Sequence, residues 1–296
     1  GHVRVYQWNS ANSSWTQLGE DIDGEAAGDY SGHSVSLSLD GSFVAIGAYS
    51  NDGNGNNSGH VRVYEWDDTS WTQLGVDIGG EATFDGSGIS VSLSSDGSFV
   101  AIGAHVNDGN GNMSGHVRVY QWNSANSSWT QLGEDIDGEA ADDYSGNSVS
   151  LSSDGSVVAI GAYGNDGNGN DAGHVRVYEW DDTSWTQLGV DIDGEAEDDR
   201  SGWSVSLSSD GSIVAIGAYQ NDGSGIDDAG HVRVYEWDDT SWTQLGDDID
   251  GEADNNWSGR SVSLSSDGSF VAIGAHINDG NGMNSGHVRV YQIPVD

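Results

Sequence analysis

The chain has 296 residues, 48 acidic side chains against 8 Arg and no Lys, a formal net charge of −40, one Pro and no Cys. That balance excludes nucleic acid and anionic membrane surfaces as partners, since both require a cationic face that releases counterions. No stretch approaches the roughly 20 apolar residues of a spanning helix, so no membrane insertion is expected, and without thiols there is no disulfide framework.

In chain order, the sequence opens inside a strand-like pattern at Gly1-His2-Val3 with no signal peptide, the mark of a mature product or of a cut from something longer. Gly-His-Val-Arg-Val-Tyr then recurs with His at 2, 60, 116, 174, 231 and 287, at spacings of 58, 56, 58, 57 and 56 residues. A period of this length, built from short alternating segments with turn residues between them, is the signature of a propeller blade. Within the second period four strands are expected, at 90–93, 99–102, 116–120 and 129–132. Each alternates or is β-branched, and Asp96-Gly97 sits where a tight hairpin needs positive φ. No window has a helical period, so the fold class is all-β, without helices.

The expected architecture is a single domain over 1–296, a five-bladed β-propeller of four-stranded antiparallel blades with repeats of about 57 residues. There are five copies of the first, second and fourth strands but six of the third, because the chain begins on a third strand and ends on one. Closure is expected through one blade shared by the two termini, with the strand around Trp15 completing the last sheet. One strand is then surplus, either 1–8 or 286–292, and it frays or pairs with another molecule; a monomer is expected, with strand-exchange oligomers as the other outcome.

The segments Ser-Gly-x-Ser-Val-Ser-Leu-Ser, Val-Ala-Ile-Gly-Ala, Asn-Asp-Gly-Asn-Gly and Gly-His-Val-Arg-Val-Tyr resemble the FG-GAP repeats of integrin alpha-subunit propellers, in their short extracellular bacterial and algal form. The resemblance covers all five periods. It departs at Ser87-Gly88, where the family has Phe-Gly, and at Ala104-His105, where the family has Pro after Ala. The family's calcium loop lies between the first two strands, which here are joined only by Ser-Ser-Asp-Gly-Ser, so calcium is not transferred by position. The resemblance implies an extracellular or cell-surface module for adhesion or ligand recognition.

In an up-and-down meander, the connections from second to third strand and from fourth to the next first strand emerge on one side. The former carries Asp-Gly-Asn-Gly-Asn or a variant of it. Its oxygen ligands on alternate residues suit Ca²⁺, which selects six to eight oxygens. The candidate ligands are Asp52, Asn54 and Asn56; Asp108, Asn110 and Asn112; Asp166, Asn168 and Asn170; Asp222 and Ser224; and Asp279 and Asn281. The same residues also suit plain Asx-turns, and both readings stay open. The latter connection carries Asp-x-Asp-Gly-Glu, or Asp-Ile-Gly-Gly-Glu at 77–81, whose Glu81, Glu139, Glu195 or Glu252 is expected to pair bidentately with the single Arg of each third strand. The repeated His of that strand is expected to be a hydrogen-bonded structural residue, and the paired Trp flanking the third-to-fourth turn are expected to staple outer strands and sheet interfaces.

Where the copies differ from one another, they differ on that same side. Ser-Gly is followed by His33, Ile89, Asn147, Trp203 or Arg260 and preceded by Tyr30, Gly86, Tyr144, Arg200 or Trp257, while Gly-Ala is followed by Tyr49, His105, Tyr163, Tyr219 or His276. Residues of this kind favour contacts, so a protein or glycan ligand is expected on this rim, with Ile89 and Gly86 as the exceptions to its character. Five nearly equal blades give five nearly equal environments, whereas acid–base catalysis needs two unlike ones, so no enzyme is expected. The alternatives are a lectin with sites between blades and a spacer in a longer repeat protein.

Overall fold

The computed structural model of the chain describes residues 1–294, apart from the Ser224 side chain. In the second repeat, Ser90–Leu93, Phe99–Ala104, His116–Asn123 and Ser128–Gln131 pair antiparallel in sequence order. The hairpin between the first two forms as its residues require: Gly97 takes φ 71°, and Asp96 Oδ1 accepts the Ser98 N–H at 2.9 Å and the Ser94 hydroxyl at 2.8 Å. The same order recurs in the sheets that begin at Ser34–Leu37, Ser148–Leu151 and Ser201–Leu207. The expectation of no helix needs one correction. A 3-10 turn occupies Gly223–Gly225, in the copy where the loop reads Asp222-Gly223-Ser224-Gly225-Ile226.

Each complete sheet also has a short strand that the sequence did not suggest. Ile136–Asp137 pairs with the start of the third strand, His116 opposite Asp137 and Val117 opposite Ile136, while Ser128–Gln131 covers its other end. The outer edge is thus broken in two. Gly133, at φ 75°, makes the break and leaves Asp135 on a protruding turn beside the first residue of the third strand.

Alternation along the strands makes both faces of a sheet apolar, and consecutive sheets pack face to face. Ala45, Val61 and Val63 of one sheet meet Val91, Leu93, Val100, Ile102 and Tyr120 of the next. Burying each aliphatic side chain of this size contributes about 1.5–3 kcal/mol. Hydrogen bonds fasten the stack at both edges. On the inner edge the hydroxyls of Ser34, Ser90, Ser148 and Ser204 donate to the carbonyls of Gly88, Gly146, Gly202 and Gly259. On the outer edge the indoles of Trp71, Trp129, Trp185 and Trp242 donate to the carbonyls of Leu18, Leu74, Leu132 and Leu188.

The termini differ from the expected closure. Ser14–Gln17 pairs with Tyr6–Asn9, and His2–Val3 pairs with Ile22–Asp23. The last sheet has three strands, Ser261–Leu264, Phe270–Ala275 and His287–Gln292. No strand pair among the described residues joins it to the strand around Trp15. The N-terminal third strand is paired with its sequence neighbour through a short hairpin. Both end faces are consequently bare. Val288 and Val290 are 68% and 66% exposed, whereas their counterparts Val61 and Val63 are 0% and 1%, and Val35 and Leu37 are half exposed at the other end.

Candidate functional site

The two chemically rich connections do lie together. Parallel bridges join Gly59 to Ser87, Gly115 to Ser145 and Gly173 to Ser201, and the Asn54 amide donates to the Gly80 carbonyl at 2.9 Å. They form one rim, and on it the variable aromatic residues touch one another in two groups. In the first, Tyr30 stacks on Tyr49 at 5.5 Å between centroids and His33 meets Tyr49 edge-on at 4.7 Å.

The second group runs across the remaining sheets as a ladder. His105 lies 6.3 Å from Tyr144, which stacks on Tyr163 at 5.0 Å. Tyr163, Trp203, Tyr219, Trp257 and His276 then follow at centroid spacings of 4.7, 4.8, 5.2 and 5.5 Å. Arg260 lies 3.9 Å above the Trp203 ring and 5.0 Å above Tyr219, Arg200 lies 5.7 Å above Tyr163, and Asn147 donates to the Trp203 carbonyl. Burial pushes Tyr163 up to about 12 and, with the charge of His33 as a lesser cause, holds His105 down at about 4.

The backbone explains how each ring is aimed. The residue before Ser-Gly is left-handed in every copy: Tyr30, Tyr144, Arg200 and Trp257 have φ of 55°, 55°, 57° and 54°, and Gly86 has 65°. A side chain costs roughly 1 kcal/mol or more in that conformation, so four bulky residues there represent strain held by their surroundings. At Gly86 the position carries no side chain. A cavity of about 530 Å³ opens beside it, lined by Tyr49, Phe84, His105, Val106, Asp108 and Met113 among others.

The candidate calcium loops engage many of their polar groups within the fold. The carboxylates of Asp52, Asp108, Asp166, Asp222 and Asp279 accept the backbone N–H of Asn57, Met113, Asp171, Asp228 and Asn284. Asn54, Asn110 and Asn168 donate their amides to the carbonyls of Gly80, Gly138 and Gly194. Asn112 reaches Asp142 at 3.4 Å, Asn281 is held through its backbone N–H by the Ser285 hydroxyl, and the Asn170 carbonyl accepts Asp198 N–H. Asn56 is exposed, and its carbonyl accepts Phe84 N–H. The Ser224 side chain lies outside the described residues.

The Glu–Arg pairs form, with different geometry from that expected. Arg118, Arg176, Arg233 and Arg289 lie 3.5, 3.8, 3.9 and 3.3 Å from Glu81, Glu139, Glu195 and Glu252 through Nη1 only. Their Nη2 groups donate instead to the carbonyls of Gly79, Asp137, Asp193 and Asp250, so the contact is not bidentate. The guanidinium reaches a backbone acceptor first because the short outer strand brings that carbonyl within its fork. The repeated His departs further from expectation. Both ring nitrogens of His174 and His231, and Nε2 of His116, are buried without a hydrogen-bond partner.

Four clusters bring such a His together with two acids: Glu25, His60 and Asp77; Glu81, His116 and Asp135; Glu139, His174 and Asp191; Glu195, His231 and Asp248. In each, the ligating atoms lie within 4.8 Å of one another. Burial first, then the adjacent Arg, holds His116, His174 and His231 down at about 4, with an acid of the cluster pulling the other way. Burial raises Glu81, Glu139 and Glu195 against the pull of the same arginines. The sequence signal for these clusters was the Asp of Leu-Gly-x-Asp, whose role depends on the break in the outer strand.

Comparison with known proteins bears on the repeat and the fold. The family model of the FG-GAP repeat matches residues 22–64 and 136–178. Each match runs from the short outer strand of one sheet to the Tyr of the next sheet's third strand, Tyr64 or Tyr178. Comparison with curated proteins gives no match. Among solved structures, Kuenenia stuttgartiensis hydrazine synthase is similar with a TM-score of 0.54 and 15% identity, over 91% of this chain and 66% of that chain. A putative 6-phosphogluconolactonase from Bacteroides uniformis gives 0.51 and 12% identity, over 98% of this chain and 87% of that chain. This chain therefore spans just under two thirds of the hydrazine synthase chain, and at these identities the likeness is one of fold. The matched unit, an FG-GAP repeat at residues 22–64 and 136–178, has a strand order and motifs that recur along the rest of the sequence.

Proposed function

We propose that this chain is a non-catalytic recognition module, extracellular or at a cell surface, whose ligand docks on the aromatic rim. The observation that carries the reading is the cavity at Gly86. In the other copies the equivalent position bears Tyr30, Tyr144, Arg200 or Trp257, and a Cβ at Gly86 would already approach Val106 Cγ2 to 3.2 Å. The vacancy leaves Tyr49, Phe84 and His105 around a space of about 530 Å³, enough for one apolar or aromatic group of a protein ligand. A glycan is the second reading, supported by Asp108, Asn57 and Asn112 in the same lining, which offer polar partners beside ring faces. Gly86→Tyr adopts a conformation that Tyr30 and Tyr144 already hold, so it should fold normally and fill the cavity. Ligands retrieved by the unaltered protein from a peptide display library or a glycan array should bind the variant at least tenfold more weakly. Equal binding by Gly86→Tyr and by a Trp203→Ala, Trp257→Ala variant would remove the rim from consideration.

Calcium is part of the same reading, as a counter-ion held by the acidic loops. The support is a net charge of −40, whose self-repulsion a divalent cation offsets, together with loop oxygens on alternate residues. Added Ca²⁺ should raise the unfolding temperature and a chelator should lower it; identical melting curves would reject this role.

A closed ring of five sheets also belongs to this proposal. Gly1–Gln7 and Gly286–Gln292 have the same sequence, so either segment suits the third-strand slot beside Ser14–Gln17. The bare valines of the last sheet and the bare Val35 and Leu37 of the first supply the apolar surface that such a closure would bury.

A further inference from the structure

In the Glu–His–Asp clusters, His174 and His231 lack a hydrogen-bond partner on both buried ring nitrogens, and His116 lacks one on Nε2. The His116, His174 and His231 side chains are each 1% exposed. Nδ1 of His174 faces Glu139 Oε2 and Asp191 Oδ2, both at 3.9 Å, and Nδ1 of His231 faces Glu195 Oε2 at 3.7 Å and Asp248 Oδ2 at 4.0 Å. His60 repeats the arrangement with Glu25 at 3.9 Å and Asp77 at 3.7 Å, and His116 lies 3.6 Å from Asp135. These separations are too long for hydrogen bonds. They are close to the separation of roughly 3.4 Å between two ligands of a tetrahedral ion with bonds near 2.0–2.1 Å.

We propose that each of these four clusters binds a divalent transition-metal ion of the Zn²⁺ type. One imidazole nitrogen and two carboxylate oxygens from different connections make a three-ligand set, and the partly exposed acids leave a fourth position open to water. The nitrogen donor selects zinc-like ions over Ca²⁺, which takes oxygen ligands alone. The neighbouring guanidinium orients the set: Arg176 Nη1 faces Glu139 Oε1, leaving Oε2 turned to His174, and Arg233 does the same with Glu195. The low proton affinity of the imidazoles favours the neutral ligand form. Each ion would join the connection that precedes a sheet to the one that follows it, clamping successive sheets along the rim.

The ends of the chain carry incomplete versions. His2 lies 3.9 Å from Asp21 and His287 lies 3.9 Å from Glu252, and neither pair belongs to a three-ligand cluster among the described residues.

The test is calorimetric titration of the full chain with ZnCl₂ in physiological salt and excess Mg²⁺, which suppresses diffuse binding to the acidic surface. The number of Zn²⁺ bound should fall by one in His174→Gln and by two in His174→Gln, His231→Gln. The Asp191→Asn, Asp248→Asn variant, at side chains about one third exposed, should lose the same two, which keeps the result independent of any folding defect in the His variants. Ca²⁺ at equal concentration should not displace the ions. An unchanged number in the double variants, absence of saturable binding by the folded protein, or equal displacement by Ca²⁺ would overturn the proposal.

Discussion

His174 shows how much a single residue's environment can depart from what its place in a strand suggests. In the unfolded chain an imidazole titrates near 6.5, and in the fold His116, His174 and His231 are held at about 4. The groups facing His174 are Arg176, Asp191 and Glu139, and those facing His231 are Arg233, Asp248 and Glu195. Between these limits the unfolded chain takes a proton that the folded one refuses. The stability these residues contribute is therefore full above about pH 6.5 and is lost as pH falls towards 4. The raised Glu81, Glu139 and Glu195 act in the opposite direction, their contribution growing as pH falls. In metal-free buffer, unfolding free energy should drop more between pH 7 and pH 5 in the unaltered chain than in His174→Gln, His231→Gln; parallel curves would refute the sign. The acid of each Glu–Arg pair was legible from charge and spacing alone. The partners of the His were not, because Glu139 and Asp191 reach His174 from connections on either side of its sheet.

At the scale of elements, the four strands of each repeat were visible in alternation and turn residues, and so was the stapling role of the tryptophans. What alternation could not reveal is the break in the outer strand, since Leu-Gly-x-Asp reads as an ordinary strand end. The break makes the short second segment, carries Asp135 to His116 and leaves a Leu carbonyl free to accept an indole from the following sheet. Trp129→Phe keeps the ring packing and removes the bond to Leu74, which should cost about 1–2 kcal/mol in denaturant unfolding. Trp15→Phe is the internal control: that ring is 66% exposed, and the change should stay within about 0.5 kcal/mol. Equal effects at the two positions would deny the indole bonds a part in holding sheet to sheet.

For the whole molecule, the question is what covers the two bare end faces. In the proposed ring, Gly286–Gln292 takes the slot of Gly1–Gln7, which sets Ile293 where Trp8 now stands opposite Trp15. The chain has no Cys, so the test has no background. Trp15→Cys with Ile293→Cys should oxidise within one chain if the ring closes, and the Asp21 and Glu252 clusters would then meet. A disulfide only between chains, or only in the Trp8→Cys, Trp15→Cys control, would exclude closure and make the surplus strand an exchange site between copies.

Sequence by itself determined the repeat, the strand order and the rim on which variation gathers, because alternation, turn chemistry and periodicity are properties of neighbouring residues. Tertiary structure alone decided that the variable rings touch in a ladder broken by a cavity at Gly86, and that four imidazoles face paired carboxylates. Those outcomes join residues tens of positions apart through the packing of one sheet on the next, and no pattern within a single repeat encodes the spacing between sheets.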